Sequence, residues 1–179
     1  MAKQMARDNK LISDFYELKV KQLMDKRVWD LPLIEKKDEI QHVLSILSGR
    51  NHIWVVENKE DKELVGIITE HDVLSILAPK HLPSYVFGMP DISSIKHGTA
   101  KAAEDVMCHR IIDCGPDDKI IDSLMKMLKH KLRRLPVVED KKIIGELTLH
   151  QLIRKYYGAT QYHPIVQDDE EEGLSLIHI

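Results

Sequence analysis

Apolar residues recur along this chain in two alternating rhythms. Ile40, Val43, Leu44 and Leu47 follow the i, i+3, i+4, i+7 spacing of an amphipathic helix. Ile121, Leu124 and Leu128, flanked by Met125 and Met127, repeat that rhythm further on. After each helical stretch comes a short β-branched run, Ile53 to Val56 and Leu135 to Val138, suited to a buried strand. A polar turn follows, Asn58 to Lys62 or Asp140 to Lys142, and then a second strand, Val65 to Thr69 or Ile143 to Thr148. A closing helix carries Val73, Leu74, Ile76 and Leu77 in one case and Leu152, Ile153, Tyr156 and Tyr157 in the other. The leucine and methionine faces of these helices are read as core.

The two stretches are copies of each other. Gly66-Ile67-Ile68-Thr69-Glu70-His71-Asp72 reappears as Gly145-Glu146-Leu147-Thr148-Leu149-His150-Gln151, with Gly, Thr and His in register. Val55-Val56-Glu57 likewise matches Val137-Val138-Glu139, Ile40 matches Ile120, and Met24 matches Met107. Each copy reads as strand, helix, strand, strand, helix, a β-α-β-β-α repeat of an α+β (α/β) protein. A unit of about 50–60 residues is marginal alone and gains by packing against its twin. The expected arrangement is sheet to sheet about a pseudo-twofold axis. Residues 1–20 read as an N-terminal helical extension, 21–79 as repeat 1, 80–99 as a linker loop and 100–158 as repeat 2. Entry segments are expected at Ile12 to Met24 and, as a short helix, at Ala100 to Met107. The linker's Pro83, Gly88, Pro90 and Gly98 suggest a structured loop. Residues 159–179 form a tail with an acidic run, Asp168 to Glu172, and an apolar end, Gly173 to Ile179, given no weight in the fold.

Composition narrows the function. With 43% hydrophobic and 31% charged residues, the chain reads as globular rather than disordered. A net charge of −3 argues against a nucleic-acid surface, which needs a broad basic excess. Apolar runs such as Leu64 to Ile68 are too short to span a bilayer, and Met1 to Lys10 lacks a secretory apolar stretch. Two cysteines, Cys108 and Cys114, suggest no disulfide scaffold, so a cytoplasmic setting is expected. The ten histidines show no HExxH or paired Cys-x-x-Cys spacing, so no metal site is expected. No catalytic group of nucleophile, base and orienting residue stands at a recognisable spacing, and no P-loop is present. An enzyme is not expected.

On these residues the chain resembles the CBS-domain family, as a complete pair over roughly Lys21 to Tyr157. Gly-Ile-Ile-Thr-Glu-His-Asp is similar to the family's G-h-x-T-x-x-D ligand signature, found here twice behind the right strand. The resemblance implies a non-catalytic module with clefts drawing on both repeats. Its ligands would be AMP, ADP, ATP, S-adenosylmethionine or related adenosyl compounds, none covalently bound. By that likeness Asp72 would take the ribose hydroxyls and Thr69 a phosphate oxygen. The base would lie against Ile111, Ile112 and Asp113 in the entry strand Ile111 to Cys114. Arg133, Arg134 and His150 would meet the phosphates. The family's habit of dimerising through its helices implies a homodimer, and an effector protein would read the signal.

The chemistry suits those roles. A carboxylate can accept both hydroxyls of a ribose diol, a strand-to-helix turn welcomes phosphate, and an arginine fork grips its oxygens. The same spacing has a plainer reading, since Thr-x-x-Asp and Thr-x-x-Gln are also capping boxes in which the two residues hold the helix start. Arg133 and Arg134 could equally be a solvated strand entry. The copies also differ. Gln151 stands where Asp72 stands in repeat 1, and Asn51 and His52 replace the arginine pair. One good site on Asp72 is expected, with a weak or empty second site around Thr148, Gln151, Asn51 and His52. Two functions follow, a regulatory adenosyl sensor and a ligand-free dimerisation scaffold.

Overall fold

The β-branched run of repeat 1 becomes the middle strand of a sheet because it is apolar along its length. The computed structural model describes residues 2–77 and 100–161, so the expected linker loop, acidic run and apolar end lie outside the described residues. In order, the elements are α1 (Ala2–Glu17), β1 (Leu33–Glu35), α2 (Ile40–Leu47), β2 (His52–Val56), β3 (Leu64–Thr69), α3 (Leu74–Leu77), α4 (Ile120–His130), β4 (Arg134–Glu139), β5 (Lys142–Thr148) and a helix over 149–161, here α5. The mixed α+β architecture and the strand-helix-strand-strand-helix order match the expectation for repeat 1.

Two units emerge, and they cut across the sequence repeats. The first holds 27–111 together with 140–143. Its sheet runs β1-β2-β3, with β1 parallel to β2 and β2 antiparallel to β3. All five residues of β2 are buried. Ile34, Val43, Ile53, Val55, Ile68 and Val73 make one core on this sheet, and Trp54, Val56 and Ile143 make another. Burying such side chains fully is worth about 1.5–3 kcal/mol each. Ile143 reaches this unit because Glu63 pairs with Lys142 and the Ile143 amide donates to Lys62 O at 3.0 Å.

The second unit holds 2–26, 112–139 and 144–161 among the described residues. β4 and β5 form an antiparallel hairpin closed by Asp140 and Lys141, both at positive φ, the backbone of a two-residue primed turn. The expected entry strand Ile111 to Cys114 is a single parallel bridge, Cys114 to Val137. Pro136, which lacks an amide to donate, and Gly115-Pro116 limit that pairing. The core joins Phe15, Val20, Cys114, Ile120, Met127, Leu135, Val137, Leu147 and Leu152.

Each unit borrows its entry segment from the other repeat. In the second unit the Ile120 amide of α4 donates to Leu18 O at 2.8 Å, and Asp25 pairs with Glu146. In the first unit the Ile40 amide of α2 donates to Lys101 O at 2.9 Å, and Ile67 pairs with Cys108. Neither helix has a side-chain cap, so these carbonyls satisfy amides left open at the helix start. Met24 and Met107, matched in sequence, lie beside Gly145 and Gly66. The segment 100–107 is not the expected helix, since only Ala103–Asp105 forms a 3-10 turn.

The core assignment of the leucine and methionine faces needs correction. α4 turns Ile120, Ser123 and Met127 inward, a stripe one residue off the expected Ile121, Leu124, Leu128. Leu128 stands about 100° round from Met127 and is 74% exposed, and Met125 is 57% exposed. Leu74, Leu77, Ile153, Tyr156 and Tyr157 also face outward.

Candidate functional site

The Gly-x-x-Thr motif ends a strand in both repeats, and the chain then turns into a helix. At the end of β3, Asp72 Oδ2 accepts hydrogen bonds from the Thr69 amide and the Thr69 hydroxyl, each at 2.7 Å. The Asp72 amide in turn donates to Thr69 O at 3.1 Å. Asp72 is half-buried and His71 exposed. The carboxylate is thus fixed at the mouth of the turn rather than left to rotate.

Repeat 2 builds the same turn with a neutral side chain. The Thr148 amide donates to Gln151 Oε1 at 2.8 Å, and the Gln151 amide donates to Thr148 Oγ1 at 3.2 Å. This is the full reciprocal capping box. Thr148 and Gln151 thus carry out the plainer of their two expected roles, holding the start of α5, whereas Thr69 and Asp72 close a turn ahead of α3, which begins at Leu74. Only the motif at Asp72 places a negative charge at its turn.

The other expected residues fall out as follows. Ile111 is half-buried in the first unit, and Ile112 packs against the second unit's core. Asp113 is exposed, and its carbonyl accepts from Lys126 Nζ at 2.8 Å. Arg133 and His150 are exposed. Arg134 is not a match for its neighbour. Its Nη1 lies 3.1 Å from Glu146 Oε1, and the Glu146 side chain is only 8% exposed. Asn51 is exposed, and its Oδ1 lies 3.0 Å from Nδ1 of the buried His52. The His52 ring meets the Trp54 ring edge-on at 5.4 Å. Within the units, then, Thr69 meets Asp72, Thr148 meets Gln151 and Asn51 meets His52.

Sequence reasoning missed Glu146 as the partner of Arg134. The signal was available, because Glu146 occupies the position of Ile67 in a strand otherwise built for burial. It also missed an apolar groove of about 330 Å³ in the second unit, lined by Phe15, Tyr16, Leu124, Leu152 and Tyr156 among others. Among the described residues no three His, Cys, Asp or Glu side chains gather to hold a metal ion, and no helix is long and apolar enough to cross a membrane.

Comparison with known proteins returns the duplication independently. The CBS domain matches twice, over residues 20–79 and 103–158. A protein of Methanocaldococcus jannaschii is 31% identical over 116 residues, covering 55% of this chain and 68% of its own. A 33.4 kDa protein from a ribosomal RNA operon of Thermofilum pendens is 21% identical over 70% of this chain, which spans 36% of that relative. Among solved structures, CBSX2 in complex with AMP superposes with a TM-score of 0.62 at 24% identity, over 81% of this chain and 98% of that one. The CBS domain pair of MJ0100, solved with methylthioadenosine and S-adenosyl-L-methionine, gives 0.56 at 24% identity, over 79% and 97%. At those identities the likeness is one of fold.

Proposed function

Because this chain belongs to the CBS domain family and carries the domain twice, we propose that it is a non-catalytic regulatory module that binds an adenosyl ligand and passes the signal on through its shape or association. One observation carries the reading most. The Asp72 carboxylate is held by Thr69 at a strand-to-helix turn, and a pre-positioned charge of this kind suits two adjacent ribose hydroxyls. The bound compounds of CBSX2 and MJ0100, AMP in one and S-adenosyl-L-methionine with methylthioadenosine in the other, support the ligand class. AMP, ADP, ATP and S-adenosylmethionine are the candidates for this chain.

The proposed contacts beside Thr69 and Asp72 are Ile111, Ile112 and Asp113 for the base and Arg133 and His150 for phosphate. Arg134, with Glu146 against it, is the weakest member of that set. A site based on Thr148, Gln151, Asn51 and His52 would lack the charge and stay weak or empty. The module would work as a cytoplasmic homodimer read by an effector protein, with no nucleic acid or membrane partner. A ligand moves such an equilibrium only through unequal affinity for its two states.

The experiment is a thermal-shift panel of AMP, ADP, ATP, S-adenosylmethionine and NADH, followed by calorimetry on any hit. A ligand at about 100 times its Kd adds about 2.7 kcal/mol of stability. A flat response to the panel overturns the sensor. It would favour the second reading, a ligand-free scaffold, which the Thr69–Asp72 turn and the Thr148–Gln151 capping box already suit because both hold their backbone without any ligand.

A further inference from the structure

The apolar groove of the second unit, about 330 Å³, follows α5 from Leu149 to Thr160. Phe15 and Tyr16 of α1 line it, and its open side includes Ile153 and Tyr157, which are 56% and 64% exposed. Grouped apolar side chains on a surface mark a place that something covers. Basic residues border this one. No acidic residue occurs over 126–138 or 147–161, which together hold seven lysines and arginines. The Leu149 amide donates to Arg133 O at 2.8 Å, which seats Arg133 beside the start of α5 and His150. Arg154 follows His150 by one helical turn, and all three side chains are exposed.

An occupant that matches this surface is both apolar and acidic. The chain itself carries such a stretch just past α5. Ile165 and Val166 stand shortly before the run Asp168–Glu172, five carboxylates in succession. Residues 162–172 lie outside the described residues. Pro164 is a helix breaker, suited to a reversal of direction. From Thr160 back to Leu149 is about 16 Å along the helix. The seven residues 162–168 can extend about 25 Å at most, so the acids can return to Arg133, His150 and Arg154. On that path Ile165 and Val166 cross the groove.

We propose that residues 164–172 of this same chain fold back along α5 as an autoinhibitory strap. Ile165 and Val166 cover the groove, and the acids lie against Arg133, His150 and Arg154. Arg133 and His150 are the phosphate contacts of the preceding reading, and the inhibitory role rests on that reading. The tethered carboxylates compete with phosphate for the same cations, at an effective concentration of about millimolar.

The test is hydroxyl-radical footprinting of the full chain, read by mass spectrometry at Ile153 and Tyr157, with exposed Trp29 as reference. Circular dichroism confirms the folding of each variant. One variant neutralises the run, with Asp168→Asn, Asp169→Asn, Glu170→Gln, Glu171→Gln and Glu172→Gln together. The other carries Ile165→Asp and Val166→Asp. A strap closed about four-fifths of the time leaves the groove open for one-fifth, so its release should raise oxidation at Tyr157 about fivefold. Both variants should show that rise, with Trp29 unchanged. Equal Tyr157 rates in wild type and both variants overturn the strap. A rise in the Ile165→Asp, Val166→Asp chain alone overturns the charge contacts with Arg133, His150 and Arg154. Intramolecular protection should hold from about 1 to 100 μM, and protection lost on dilution overturns the proposal in favour of a second copy.

Calorimetry with AMP should show about fivefold tighter binding by the neutralised chain, on the same arithmetic. Unchanged affinity alongside raised oxidation overturns the inhibitory role. AMP binding by neither chain overturns the adenosyl reading and the inhibitory role with it, while the strap stands or falls on Tyr157.

Discussion

Asp72 and Thr69 are joined twice through one atom: a single carboxylate oxygen takes both the amide and the hydroxyl of the threonine, each at 2.7 Å. That bond pattern closes the turn ahead of α3 and suits the proposed ligand anchor, and two substitutions separate the two roles. Asp72→Ala removes both and should cost about 1 kcal/mol in stability and about 10- to 100-fold in AMP affinity. Asp72→Asn keeps a carbonyl acceptor for the turn but loses the charge. Its urea midpoint should stay near wild type while calorimetry shows the affinity loss. Wild-type binding by Asp72→Asn would leave the residue as a turn closer only. Gln151→Ala should not change the titration.

The two adjacent arginines should behave as strangers. Arg134 is 26% exposed against a Glu146 side chain at 8%, so Arg134→Ala removes a counter-charge from a buried carboxylate. With a discount for the solvent reaching Arg134, the cost in urea unfolding should be about 1–3 kcal/mol. Arg133→Ala should change stability by no more than about 0.5 kcal/mol and lower AMP affinity severalfold. The reverse pattern would contradict both assignments.

Gly66 and Gly145 occupy matching positions but face different neighbours. A Cβ on Gly145 would lie 2.5 Å from the Asp25 carbonyl oxygen, which the Glu146 amide holds at 3.2 Å. A Cβ on Gly66 would lie 2.6 Å from Met107 Sδ, the movable part of a flexible side chain. Gly145→Ala should therefore cost about 3 kcal/mol and Gly66→Ala about 1 kcal/mol, read from denaturant midpoints. Equal costs would mean the Met24–Asp25 segment yields as easily as a methionine side chain.

Burial pushes the Cys114 thiol up to about 11, whereas Cys108 is exposed. A disulfide reagent at pH 8 should titrate one thiol in the native chain and two in guanidinium. Because the folded state raises this pKa, the unfolded chain ionises first. The thiol's contribution to stability is whole below about 9 and is lost as pH rises toward 11. Cys114→Ala should flatten that alkaline loss in a pH series of melts.

Much of this was legible in the residues. The duplicated Gly-x-x-Thr motif, the buried run Ile53 to Val56 and the polar turn expected over Asp140 to Lys142 are local signals, and each produced its element, the turn tightening to Asp140-Lys141 with Lys142 already in β5. The helical stripe of α4 was misjudged by one residue because Leu128 and Met127 are equally apolar, and only tertiary packing chooses which turns inward. The entry strand before Gly115 shrank to one bridge because its partner strand carries Pro136, a nonlocal effect. Thr69 and Asp72 could be named as a pair, but spacing alone could not say which oxygen would close the turn. The Arg134–Glu146 bond depended on strand register across the hairpin, which no single stretch of chain reveals.

The exchange of entry segments sets an order of events during synthesis. Leu18 and Asp25 leave the ribosome well ahead of their hydrogen-bond partners Ile120 and Glu146. Until then Phe15 and Val20 have no core to enter. This early segment must wait with those side chains uncovered, which makes it a natural place for a holding chaperone to act. Cutting the gene between the repeats would produce two fragments, each deprived of the segment that completes it, and mixing them should recover folded material that neither yields alone.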